Sequence, residues 1–572
     1  MRVAPLAPER TQRSALDWLW ALFWLAASSA WCITAGAELG ATFDEPVYVA
    51  RGLEGWRTGS HSGLLRLGTM PLPADLQTLP LHLYETRYGV ELDPVADLAR
   101  VLPWARAVTL GFWWLLLSYG WLTGRALAGP WGGRVAIALL ACEPSLLAHA
   151  SLATTDLALA ACVLALVYHF RAGREARWPR RVAVPMLWFA AAVLSKASAV
   201  AIAPLCLLAA EAEWRRSVAP RRQETAAPPA LRGGAVAGPQ PAPRAMSDLT
   251  WIISGGMLLV FVYCGSDWRP EPSFVAWADE LPAQANVREP MQWLAQHLRI
   301  FSNAGEALVR QVRHNIRGHG AFLLGQVAPR ALWYYFPVLL TIKLSEPLLL
   351  ALPLVAVLHR RALANWPVML AAALTLYSVT FRVQLGVRMV LPIIVFGAVG
   401  AAAALAETAR VARGGWRRTA AAVFAAAAVL WNAANGLAAW PDGLVYVNRF
   451  WGGSADGFRL VSDSNYDWGQ GVKALRRWQQ ERGIDTLALW YFGTDPLAQQ
   501  PPLHVVPLHA LPITSPEQVL AAVRGGYLAV STTLLYGTAI DSEAYRQSLA
   551  VLRARQPVAR TTTFLIYDFT AG

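Results

Sequence analysis

The sequence predicts a polytopic α-helical membrane protein of about eleven transmembrane helices, followed by a small C-terminal extracytoplasmic α/β domain. Three observations carry that reading. Only 15% of the 572 residues are charged and mean hydropathy is +0.34, where a soluble chain carries roughly a quarter charged residues. Apolar runs such as 182–210 and 251–265 approach the ~20 residues that cross a bilayer. From Trp440 onward the pattern changes to short β-type runs between polar segments.

Spans are expected at 15–38, 103–125, 132–150, 154–171, 182–195, 197–212, 249–266, 345–359, 364–381, 388–407 and 418–439. The first run is long and lacks a convincing small-residue cleavage site, which predicts a retained anchor. The runs 182–195 and 197–212 are short, but merging them would break a regular alternation of charge. Arginines gather between alternate runs: Arg125 and Arg134, then Arg171 to Arg181, then Arg215 to Arg244, then Arg360 and Arg361, then Arg410 to Arg418. Under the positive-inside rule these loops are cytoplasmic. The formal net charge of +13 therefore reports orientation, and no nucleic-acid partner is expected.

With the N-terminus inside, residues 1–439 form the transmembrane domain, with outward loops 38–102 and 266–342. The tail, 440–572, also lies outside. Residues 218–247, rich in Ala, Pro, Gly and Arg, are expected to be a disordered cytoplasmic linker. In the tail, 486–492, 526–533 and 561–569 read as strands and 471–482 as a helix. All five cysteines precede the tail, so no disulfide framework is expected there.

The candidate chemistry sits at outer helix ends. Asp44-Glu45-Pro46 opens the helical part of the first loop, where an acid suits the cap and proline the first turn. Adjacent carboxylates beside a bilayer can also take a proton from a hydroxyl or hold a metal. Asp156 falls in the first turn of the fourth span, where the helix dipole favours an ionised carboxylate. Of 50 basic residues only three are lysines, and two of them, Lys196 and Lys343, fall at outer span ends. A compact ammonium suits phosphate, although snorkelling to headgroups would also place it there. Arg388 opens the tenth span on the outer side, against the positive-inside pattern, which points to an anion; Arg382 is close by. The histidines show no metal-ligand spacing, and His149 reads as a packed polar residue. Asp463-Ser-Asn-Tyr-Asp-Trp-Gly-Gln470 reads as a turn capping the next helix.

Together these motifs resemble the C-type (GT-C) polyprenyl-phosphate-sugar glycosyltransferases. The nearest groups are the bacterial relatives of protein O-mannosyltransferases and of the aminoarabinose transferase that modifies lipid A. The matching residues are Phe43-Asp44-Glu45-Pro46, Pro144 to His149 with Thr154-Thr155-Asp156, and Leu194-Ser195-Lys196. They continue with Trp333 to Pro337 followed by Lys343, then Gly386-Val387-Arg388, then Asp463 to Gln470. The chain departs from the family pattern at Lys343-Leu-Ser-Glu-Pro347, at Gly471 and at Met70-Pro-Leu-Pro73.

The resemblance implies transfer of a sugar from a polyprenyl-phosphate-linked donor to a lipid, glycan or protein acceptor, with inversion. The reaction would take place at the extracytoplasmic face of a bacterial inner membrane. It casts Asp44 as base, Glu45 as orienting it or the acceptor, and Asp156 as supporting the same pocket. Lys196, Arg388 and Lys343 would hold the lipid phosphate. A divalent metal shared by Asp44 and Asp156 stays open, and no other cofactor is expected. The partners are the lipid-linked sugar, membrane lipids and an acceptor of unspecified identity. Two other classes remain: a flippase or transporter of lipid-linked sugars, which would place acids near the midplane, and a non-catalytic member whose tail binds an envelope partner.

Overall fold

The computed structural model describes residues 14–225, 245–266, 268–283, 286–299, 302–511, 516–523, 526–537 and 543–570. Among these, six helices are long and apolar enough to cross a bilayer: Ala15–Glu38, Leu98–Cys142, Asp156–Gly173, Ala245–Cys264, Val387–Val411 and Gly415–Ala438. A seventh candidate is the pair Tyr335–Lys343 and Glu346–Leu363, bent by 106° at its break. The chain is a multi-pass membrane protein, and the expected count of eleven is not established.

The difference has local causes. Leu98–Cys142 is two helical legs joined at a break, the first matching one expected span and the second most of the next. Its backbone leaves the helical region at Ala128 and Gly129, and the chain then packs back on itself. A Cβ added at Gly124 would lie 2.4 Å from the Gly132 carbonyl oxygen, an approach that only small residues permit. The second leg ends before Pro144, which opens the separate helix Pro144–Ala150, because proline cannot continue the hydrogen-bond ladder. Val184–Ser195 and Trp366–Ser378 are helices of 12 and 13 residues. Ala199–Thr225 becomes charged from Glu211 onward. The expected linker overlaps the ends of Ala199–Thr225 and Ala245–Cys264, and 226–244 lie outside the described residues.

The centre of the bundle is set by composition. Asp156–Gly173 is rich in alanine and leucine, and 83% of its apolar window is buried, as for Val387–Val411. The corresponding share is 33% for Ala245–Cys264 and Gly415–Ala438. The outer helices therefore show exposed Val262, Leu430 and Leu437, side chains at home against lipid.

One end of the bundle carries the irregular structure. Helices Glu45–Thr58 and Leu72–Tyr88 pack there, the second opened by Pro71 and Pro73. The second loop adds helices Pro272–Glu280, Arg288–His297 and Ser302–Arg317, then the hairpin β1 (Ala321–Leu323) and β2 (Gln326–Ala328). The tail joins the same end, with the Leu324 N–H donating to the Leu460 carbonyl at 2.8 Å.

The tail holds a five-stranded sheet made of β3 (Leu487–Trp490), β4 (Leu503–Val505), β5 (Tyr527–Ser531), β6 (Ala559–Arg560) and β7 (Phe564–Asp568). Its order is β4-β3-β5-β7-β6, parallel among the first three strands and antiparallel at β7 and β6. Helix Val472–Glu481 and the expected strands are present, and β4 and β6 are short edges with little sequence signal. Trp490, Leu528 and Tyr567 face one core, Leu487, Leu489 and Ile566 the other, as the period-2 alternation of strands requires.

Candidate functional site

Asp44 stands at the N-cap of Glu45–Thr58, yet its side chain makes no capping bond. Its Oδ2 accepts from Arg388 Nη1 at 2.7 Å and from the Tyr48 hydroxyl at 3.3 Å. The side chain keeps 24% of its surface exposed. The cap position thus places the carboxylate, and the carboxylate looks away from its own helix.

Glu45, one residue on, is fully buried. Its Oε1 accepts from Arg106 Nε at 2.8 Å and the Ala153 N–H at 2.7 Å. Oε2 accepts from Arg106 Nη2 at 2.6 Å, and from the Thr42 N–H and hydroxyl at 2.8 and 3.0 Å. Arg106 also donates to the carbonyls of Gly36, Leu39 and Gly40, at 2.5, 3.2 and 2.7 Å. Burial alone would raise the Glu45 carboxyl; the adjacent guanidinium and backbone donors outweigh it and hold the group below the usual range. Arg106 is a residue the sequence reading missed. Its signal was an arginine inside an apolar run, which at membrane depth asks for a partner.

Asp156 opens Asp156–Gly173 and is buried. Oδ1 is paired with Lys196 Nζ, and Oδ2 lies 3.8 Å from Arg388 Nη1. Lys196 is where the chain breaks between Val184–Ser195 and Ala199–Thr225, in extended backbone. Arg388 lies on the 3-10 turn Val387–Val390 that leads into Leu391–Val411. Its guanidinium sits 4.2 Å from the centroid of the Trp468 ring, close enough for a cation–π contact. Four elements therefore bring two acids and two cations to one place. The formal charges cancel, as a cluster at this depth requires. Hydrogen-bonding capacity is left over: among the described residues Asp156 Oδ2 and Arg388 Nε have no hydrogen-bond partner.

Lys343 does not join this cluster. It is buried, and its ammonium donates to the carbonyls of Leu444, Tyr446 and Asn465. Three donors meet three acceptors, which ties the bent helix pair to the tail and leaves the ammonium apart from the cluster where the phosphate was expected. The departure that follows it is used structurally too: the Ser345 hydroxyl donates to Glu143 at 2.6 Å, and Glu346 accepts from Asn435 at 2.6 Å. His149 is fully buried, edge-on to Trp468 at 6.5 Å, with both ring nitrogens unpartnered among the described residues.

No group of three or more His, Cys, Asp or Glu among the described residues is placed to hold a metal. Asp44 and Asp156 each already face a cation. In this arrangement the donor set does not fit a shared divalent ion, and no step is derived through one.

Residues 97–226 match the family described as dolichyl-phosphate-mannose-protein mannosyltransferase. This bears out the kinship that the motifs suggested, and the matched stretch holds Arg106, Asp156 and Lys196. Among solved structures the chain is similar to ArnT from Cupriavidus metallidurans bound to undecaprenyl phosphate, at 13% identity over 97% of this chain and 98% of that one, with TM-score 0.43. The apo form of that protein gives 13% identity over the same shares, with TM-score 0.44. The apo oligosaccharyltransferase of Archaeoglobus fulgidus gives 12% identity over 91% of this chain and 71% of that one, with TM-score 0.44. No curated protein matches the chain in sequence.

Proposed function

Taking the chain as a relative of these mannosyltransferases, we propose that it transfers a sugar from a polyprenyl-phosphate-linked donor to a lipid, glycan or protein acceptor. The transfer takes place at the extracytoplasmic face of a bacterial inner membrane. The observation that carries the reading is the meeting of Asp44, Asp156, Lys196 and Arg388 at one end of the bundle.

A phosphate is a good leaving group, so the reaction asks for a base at the acceptor and cations at the phosphate. Asp44, the partly exposed acid, takes the proton of the acceptor hydroxyl or amine as that atom bonds to the anomeric carbon. The bond from the anomeric carbon to the phosphate oxygen breaks, and its electron pair leaves with the lipid phosphate beside Arg388 and Lys196. Attack opposite the leaving group inverts the anomeric centre. Asp156 keeps the two cations adjacent. Arg388 is shared between Asp44 and Asp156, so an arriving phosphate competes for it and leaves Asp44 freer to accept a proton. Glu45 acts at one remove, by fixing the chain before Asp44.

The test uses purified protein in vesicles, a polyprenyl-phosphate donor with a radiolabelled sugar, and envelope lipids or proteins as acceptors. Label should pass to an acceptor. Label that crosses the bilayer while still on the polyprenyl phosphate would replace this reading with transport.

A further inference from the structure

We propose that the C-terminal α/β domain is a positioning element of the reactive cluster, holding both the segment that carries Asp44 and the turn that carries Arg388. The inference rests on the function proposed above.

The sheet supplies the geometry. β3 and β5 run parallel, so Trp490 and Ser531 end at the same edge. Open α/β sheets present their functional loops at the carboxyl ends of such strands. Here that edge meets the membrane domain. Beyond β3, Phe492 stacks on Phe43 at 5.3 Å, and the Thr494 hydroxyl donates to the Phe43 carbonyl at 2.7 Å. Asp495 Oδ2 accepts from the Ala41 N–H at 2.7 Å. The loop Asp463–Gln470 adds two backbone bonds, from the Gly40 N–H to the Gln470 carbonyl and from the Phe43 N–H to the Trp468 carbonyl, both 2.9 Å. The residues leading into Asp44 are thus fastened to the tail along their length.

The same loop holds the other side. Trp468 faces the Arg388 guanidinium, and Asn465 Oδ1 accepts from the Val387 N–H at 2.8 Å. The Ser464 hydroxyl donates to the Leu385 carbonyl. Between these contacts Gly386 has φ +120, and a Cβ there would lie 2.3 Å from Ser464 Oγ. The glycine of Gly-Val-Arg is therefore dictated by the tail as well as by its own backbone. Asp463, in the same loop, adopts the left-handed backbone at φ +55. The loop is locked to the end of β5, where Asp467 accepts from the Thr533 N–H at 3.1 Å and the Thr532 hydroxyl at 3.3 Å. Trp468, Ser464, Asn465 and Asp467 are all buried. A rigid frame of this kind keeps reacting groups in register, which is where misplacement by an ångström is costly.

The experiment measures KM for labelled polyprenyl-phosphate sugar, and kcat, on the purified full-length protein. Trp468→Leu keeps apolar bulk and removes the ring face; it should raise donor KM about tenfold, and Trp468→Phe should recover most of that. On an Arg388→Ala background the same Leu substitution should add nothing, the signature of one acting through the other. Thr494→Val, at a half-buried position, probes the Asp44 side and should lower kcat about threefold at unchanged donor KM. A wild-type KM in Trp468→Leu, an equal added loss on the Arg388→Ala background, or an unchanged kcat in Thr494→Val overturns the positioning role and leaves the proposed function standing. An unchanged KM in Arg388→Ala alone overturns the phosphate reading and takes this inference with it.

Discussion

Asp44 and Glu45 are chain neighbours with opposite surroundings. Glu45 is buried and both its oxygens are filled by Arg106, Thr42 and Ala153. Asp44 is partly exposed and shares one arginine with Asp156 across a cluster that leaves hydrogen-bonding capacity unspent. A buried ion pair with every atom satisfied has nothing left to offer a ligand, and removing one partner strands the other. A cluster with vacant donor and acceptor capacity can rearrange around an anion. The contrast teaches that an acid pair in a motif can divide its labour between holding the site and working in it.

Three substitutions can break or sharpen that contrast. Arg106→Ala strands Glu45 in the core and should cost about 3–5 kcal/mol, seen as a lower melting temperature and less folded protein in detergent. An unchanged melting temperature would move the Glu45–Arg106 pair out of the structural class. Lys196→Met removes a charged hydrogen-bond donor from the open cluster, a loss of about 1.5–3 kcal/mol. It should appear as a donor KM raised roughly 10–100-fold, with a smaller fall in melting temperature than Arg106→Ala because buried Asp156 keeps Arg388 beside it at 3.8 Å. Lys343→Met leaves three carbonyls without their donor and should lower stability by about 1–3 kcal/mol. A large rise in donor KM at full stability would return Lys343 to the phosphate.

The smallest effect is a pH dependence. Burial without a cation, aided by nearby Asp442, pushes the Asp467 carboxyl up to about 7, whereas in the unfolded chain it titrates near ~3.9. Between those values the folded state binds the extra proton, so this contribution is full below pH ~4 and declines as pH rises toward about 7. Asp467→Asn should remove that decline. The wild-type melting temperature should fall relative to the variant across the window and run parallel above it.

What was legible in the sequence was local. The acid at a helix start, the lysine at a break between short spans and the arginine against the topological rule each advertise themselves by position. Their meeting joins residues 344 positions apart, and only the recurrence of family motifs hinted at it. Arg106 was hidden because an arginine inside an apolar run does not declare which acid it serves. Lys343 is ambiguous in sequence because an ammonium at a helix end suits phosphate and carbonyls equally. The loop Asp463–Gln470, read as a cap for the next helix, leaves that cap to Gly471 without a side-chain bond. It spends its polar groups on Arg388's turn and Asp44's approach. The break at Gly129 falls between two expected spans, whereas Pro144 ends a helix inside the expected span 132–150, where hydropathy alone would run on.

The division between the two acids is tested most directly by Asp44→Asn and Glu45→Gln in one transfer assay, with melting temperatures taken on the same preparations. The account predicts that Asp44→Asn keeps its melting temperature and loses about 10²–10⁴-fold in transfer rate, while Glu45→Gln melts lower and its folded fraction still turns over. Full transfer by a well-folded Asp44→Asn protein would contradict it.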